Sequence, residues 1–108
     1  MPRYLVERSF PDGLEIPQND AGASIIAGVI SNNSNEKVTW VRSFVTGDKT
    51  KTFCIYDGPT PESIRRAATS NGLPVDSICE VTVLDPYFYA GLPTSNKGER
   101  PPSAPMKL

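Results

Sequence analysis

The sequence predicts an α+β fold, a four-stranded antiparallel sheet with two helices on one face. Three observations predict it. Short runs rich in Val, Ile, Phe and Tyr recur four times with the alternation of strands. Two stretches with helical spacing separate them, and one carries a full set of start and stop signals. The order is strand, helix, strand, strand, helix, strand, and 108 residues are enough for one domain of that kind.

Arg3 to Ser9 alternates and forms the first strand, which the turn residues Pro11, Asp12 and Gly13 break. A helix starts near Pro17 or Asn19, with Asp20 beside the positive end of its dipole. Gly22, Ile25, Ile26, Val29 and Ile30 make its apolar stripe, and the polar run Ser31 to Asn35 closes it. Val38 to Val45 is the second strand, Gly47 and Asp48 turn a hairpin, and Thr50 to Tyr56 is the third. The second helix is marked by Thr60 as N-cap, Pro61 at the first helical position and Glu62 in the first turn. Ile64, Ala67 and Ala68 are its inner face, and Gly72, Leu73 and Pro74 end it. Ser77 to Leu84 is the fourth strand, stopped by Asp85 and Pro86. This succession is the ferredoxin-like β-α-β-β-α-β sandwich, with sheet order 4-1-3-2. Residues 1–90 form the domain, and the proline-rich, aperiodic residues 91–108 form a C-terminal tail or arm.

Composition narrows the function. No apolar stretch approaches the ~20 residues of a membrane span, and Met1 to Arg8 has no signal-peptide run, so neither a membrane nor a secreted protein is expected. A net charge of −1 gives no general attraction for nucleic acid. Two cysteines are too few for a disulfide framework and fit a reducing cytoplasm. The chain has no histidine, which removes the usual general base and the commonest transition-metal ligand. Phosphate-binding glycine loops, CxxC pairs and nucleophile elbows are absent from the sequence too.

Alternation assigns the strand faces. Tyr4, Val6, Val41, Val45, Phe53, Ile55, Cys79, Val81 and Val83 are expected beneath the helices. Leu5, Glu7, Trp40, Arg42, Phe44, Cys54, Tyr56, Glu80, Thr82 and Leu84 are expected on the opposite face. From that second set come the ligand-cavity candidates Glu7, Trp40, Arg42, Phe44, Cys54, Tyr56, Glu80 and Thr82, with Glu7, Glu80 and Cys54 as candidate metal donors. Two helices leave this face uncovered, and its aromatic area points to a homodimer that packs two such faces around a partly polar cavity. Cys79 is expected as a small core residue; Cys54, with Lys51 and Arg42 near it, is the better candidate for chemistry, although a core role leads for it too. Tyr87, Phe88 and Tyr89 are expected to anchor the end of the last strand.

Several segments carry a family resemblance: Met1 to Arg8, Val38 to Val45, Lys51 to Tyr56, Pro59 to Pro74, and Leu84 to Tyr89. Together they resemble the small bacterial nickel-binding ferredoxin-like proteins. The resemblance implies the ferredoxin-like fold, a dimer and a role in binding nickel, with no established enzymatic activity. It departs at Arg42, where the family pattern often carries a histidine; a guanidinium cannot ligate a metal. The expected function is thus a non-enzymatic dimeric binding protein for nickel, another divalent ion or a small polar ligand. The alternative is a small cofactorless barrel-type enzyme, or a small-organic-ligand binder, that uses Glu7, Arg42 and Tyr56.

Overall fold

Strand β1 (Arg3–Ser9) runs between β3 (Lys51–Asp57) and β4 (Ser77–Val81), and β2 (Thr39–Val45) lies outside β3. The sheet order is therefore β2-β3-β1-β4, and every pairing is antiparallel. Helix α1 (Asp20–Asn35) connects β1 to β2, helix α2 (Pro61–Asn71) connects β3 to β4, and a 3-10 turn, Pro86–Tyr89, follows. This is the ferredoxin-like α+β architecture that the sequence predicts. The computed structural model describes residues 1–93, so the expected tail, apart from Gly91, Leu92 and Pro93, lies outside the described residues.

Local chemistry fixes α2 at both ends. Thr60 Oγ1 accepts the backbone N–H of Ser63 at 3.1 Å, and Pro61 occupies the first turn, where its missing N–H costs nothing. Gly72 adopts φ +66°, and Leu73 N–H closes the last turn on the Ala68 carbonyl at 3.0 Å. Ile64, Ala67 and Ala68 are buried against Tyr4, Val6, Val38, Cys54 and Tyr56, which form the core.

Helix α1 begins as expected, with the Asn19 side chain accepting the N–H of Gly22 at 3.1 Å. It ends later than expected, because the polar run Ser31 to Asn35 continues the helix. Asn33 is buried there, and its Oδ1 accepts from Asn71 Nδ2 at 3.1 Å, while Asn32 Nδ2 donates to Asn71 Oδ1 at 2.8 Å. These amides tie the ends of the two helices together, so polarity here marks a helix–helix contact. Strand β4 stops at Val81 instead of Leu84. Val81 pairs with Arg3, the first residue of β1, so no strand residue remains to pair with Thr82 and beyond. Tyr87, Phe88 and Tyr89 are exposed and do not anchor the strand to the body of this chain.

Candidate functional site

The register decides which side chains meet. Tyr4 pairs with Tyr56, Val6 with Cys54 and Arg8 with Thr52, and all six are buried on the helix side of the sheet. Phe53 and Ile55 therefore face away from the helices, the reverse of the expected phase in β3. In β2 the register shifts between Trp40 and Arg42, so Val41 is an extra residue. Trp40, Ser43 and Val45 consequently align with Tyr56, Cys54 and Thr52 on the helix side, and Arg42 and Phe44 with Ile55 and Phe53 on the open side. In β4, Ile78 and Glu80 share the face of Val6 and Tyr4, while Cys79 and Val81 lie opposite. Cys79 is exposed instead of core.

The expected cavity set is therefore divided between the two faces. Glu7, Arg42 and Phe44 are on the open face, and Trp40, Cys54, Tyr56 and Glu80 are on the helix side. Thr82 lies beyond the end of β4 and is exposed. The metal candidates Glu7, Glu80 and Cys54 do not converge, and among the described residues no three His, Cys, Asp or Glu side chains gather to hold an ion. Cys54 is buried with its Sγ 3.6 Å from Thr52 Oγ1, and Lys51 and Arg42 are on the other face. The acid, base and clamp trio of Glu7, Arg42 and Tyr56 is likewise divided by the sheet.

The open face has an apolar centre and a charged rim. Leu5, Phe53 and Ile55 are half-buried, and Phe44 beside them is 58% exposed. At one end Arg3 grips Asp57 with a two-pronged fork, Nε to Oδ1 at 2.7 Å and Nη2 to Oδ2 at 3.0 Å. That hydrogen-bonded guanidinium holds the Asp57 carboxyl below the usual carboxylate range. At the other end Lys51 Nζ is 2.9 Å from Glu7 Oε1, and the hydrogen bond raises the ammonium's affinity for its proton.

On the opposite side, a cavity of about 220 Å³ lies between α1, the segment that follows β1, and strands β2 and β3. Its walls are apolar, with Phe10 and Leu14 from the segment, Ile26 and Val29 from α1, and Trp40 from β2. It exists because α1 is not drawn tight against the sheet: Ile26 and Val29 are half-buried and Ile25 is 48% exposed. Arg8 also lines it, only 3% exposed. Arg8 Nη1 donates to Tyr56 Oη at 3.2 Å, and the guanidinium carbon is 5.5 Å from the Tyr56 ring centre. Arg8 Nε is buried without a partner. Burial raises the Tyr56 phenol above the usual tyrosine range, although the adjacent Arg8 cation opposes this. Sequence reasoning passed over Arg8. The signal is its phase: Tyr4, Val6 and Arg8 are alternate residues of one strand, which places the arginine on the inner face.

The family of nickel responsive proteins described as SCO4226-like matches residues 4–81, most of the described chain. The crystal structure of SCO4226 from Streptomyces coelicolor A3(2) is similar to this fold with a TM-score of 0.60 and 17% identity, covering 77% of this chain and 99% of that one. No curated protein matches the sequence significantly. The chain belongs to the SCO4226-like family.

Proposed function

We propose that this member of a nickel-responsive family is a non-enzymatic binding protein that works as a homodimer, joined through the open face of its sheet. The observation that carries the reading is the composition of that face. Leu5, Phe44, Phe53 and Ile55 form an apolar centre that neither helix covers, and the rim charges Arg3, Asp57, Lys51 and Glu7 are already neutralised in pairs. A self-complementary two-fold contact buries such a centre and leaves the Arg3–Asp57 end of the rim in water.

The donors of a single chain do not fit nickel. There is no histidine, Cys54 is in the core, and Glu7 is held by Lys51. Metal binding in line with the family description therefore calls on the junction of two copies, where a two-fold axis duplicates the exposed Cys79 thiol and its open-face neighbour Glu7, which gives up Lys51 for the ion. Free cysteines, one of them exposed, suit a reducing compartment such as the cytoplasm.

Sedimentation equilibrium and calorimetric titration of the full chain with Ni²⁺ test the reading. A dimer is expected, together with saturable Ni²⁺ binding that Glu7→Gln removes. Phe44→Glu is expected to weaken the dimer by at least about 30-fold, as for an interface hot spot. A monomer at about 100 μM would discard the dimer, and a dimer silent to Ni²⁺ would discard the metal role.

A further inference from the structure

We propose that the cavity between α1 and the sheet binds a small amphipathic carboxylate, its anionic end held by Arg8 and its apolar body by the walls. This site is on the opposite side of the sheet from the dimer face and does not depend on that reading.

A buried guanidinium is a cation removed from water, and folded proteins ordinarily supply it with an anion. Arg8 has none. Among the described residues the ion pairs are Arg3 with Asp57, Lys51 with Glu7 and Arg66 with Glu36. Tyr56 satisfies Nη1 alone, and Nε is buried without a partner. Nη2 makes no hydrogen bond among the described residues either. The free edge of Arg8 is thus Nε with Nη2, the same edge that Arg3 offers to the two oxygens of Asp57. A carboxylate matches that two-pronged edge. Among the described residues the one carboxylate that lines the cavity, Glu15, is exposed and unpaired with Arg8.

The remaining surroundings select the rest of the ligand. Trp40 Nε1 is committed to Ser43 Oγ at 2.7 Å, so these two polar side chains already satisfy each other. Phe10, Leu14, Ile26 and Val29 offer only apolar contact. An inorganic anion would leave those walls bare. A cavity of about 150 Å³ lined by such residues accepts benzene, so the present 220 Å³ accommodates a ring with a short acid arm.

The lining segment between β1 and α1 is held in place. Phe10 N–H bonds Thr50 O at 2.7 Å and Leu14 N–H bonds Lys49 O at 2.8 Å, which pins the segment to the β2–β3 hairpin. Such a preformed pocket spends little affinity on ordering.

Trp40 is the single tryptophan of the chain and lines the cavity, so its fluorescence reads occupancy directly. The full chain is titrated with phenylacetate and with its uncharged isostere phenylacetamide. A saturable change is expected with phenylacetate, with the amide at least about tenfold weaker. Arg8→Gln is expected to reduce the acid to the affinity of the amide, and Val29→Phe, which fills the cavity, to weaken both. Phe44→Glu leaves this binding unchanged, so this proposal and the dimer reading fail separately. Should Arg8→Gln not fold, the acid-to-amide ratio of the unaltered protein and Val29→Phe still decide. Equal binding of acid and amide would overturn the anion role. No saturable response to about 10 mM of either compound would overturn the site itself. If Glu15→Gln then also lowered the melting temperature as far as Arg8→Gln does, the partner of Arg8 would be Glu15.

Discussion

Arg8 and Tyr56 lie on the neighbouring strands β1 and β3, and the long guanidinium reaches back along the sheet to touch the tyrosine twice. Nη1 meets the phenol oxygen at 3.2 Å, and the guanidinium carbon stands 5.5 Å from the ring centre. The hydroxyl supplies a hydrogen-bond acceptor and the ring face a negative quadrupole. Neither is a counter-ion. The pair makes a buried cation tolerable, and Arg8 keeps its Nε buried without a partner among the described residues, at the wall of the cavity.

Tyr56→Phe removes the acceptor and keeps the ring. Nη1 then joins Nε without a partner, so a loss of about 1–3 kcal/mol in denaturant unfolding is expected. The same variant changes the alkaline limb. Burial raises the Tyr56 phenol above its unfolded value near 10. Between the two values the unfolded chain has lost the proton and the folded chain has kept it, so stability falls as pH rises through that window. Tyr4, whose phenol burial also raises, keeps part of the slope. Urea midpoints measured above pH 9.5 should fall less steeply for Tyr56→Phe than for the unaltered protein.

Asp57 gives the opposite limb. Its hydrogen bonds to Arg3 depress its folded value below the unfolded value of about 3.9. The stabilisation is therefore present above that unfolded value and is lost as pH falls through the lower folded one. Asp57→Asn is expected to melt below the unaltered protein at neutral pH and together with it once the pH is below the folded value. A melting gap that persists unchanged into strong acid would show that the pair contributes by packing and not by charge.

Most of the framework was legible in the sequence because it rests on local chemistry. The cap at Thr60, the left-handed Gly72 and the hairpin around Gly47 and Asp48 are each specified within a few residues, and from them the ferredoxin-like order follows. The faces were less legible. In β3 both phases are apolar, Phe53 and Ile55 in one and Cys54 and Tyr56 in the other, so alternation carries no preference there. In β2 one extra residue at Val41 reverses the phase, and nothing in Trp40-Val41-Arg42 announces it. The candidate site inherited both errors. Glu7, Arg42 and Phe44 lie on the open face as expected, while Trp40, Cys54, Tyr56 and, in β4, Glu80 lie on the helix side. Ser31 to Asn35 misled for a different reason, since the burial of Asn33 depends on Asn71, 38 residues away.

Gly22 and Gly28, in the same helix, should respond in opposite ways to alanine. A Cβ at Gly22 would lie 1.7 Å from the carbonyl oxygen of Pro17, whereas at Gly28 nothing lies within 4 Å. Gly22→Ala must therefore push the Pro17 backbone away from α1, and a loss of at least about 2 kcal/mol is expected, with the cavity mouth displaced. Gly28→Ala restores helix propensity at an open position and should stabilise by up to about 1 kcal/mol. Thermal unfolding of the two variants beside the unaltered chain checks both signs.

The two cysteines report on the two sides of the sheet. Cys54 is 5% exposed in the core, and Cys79 is exposed on the open face near Leu5. In dilute protein a thiol reagent should modify one equivalent rapidly at Cys79, with Cys54 reacting only at the rate of unfolding. Raising the protein concentration into the range of the proposed dimer should protect Cys79, because the face that holds it becomes the interface. Phe44→Glu should restore its reactivity at the same concentration. Labelling of Cys79 that ignores concentration in the unaltered protein would place any dimer contact elsewhere on the fold. Rapid modification of both thiols would instead mean that α2 opens from the sheet far more readily than the buried Ile64 and Ala67 imply.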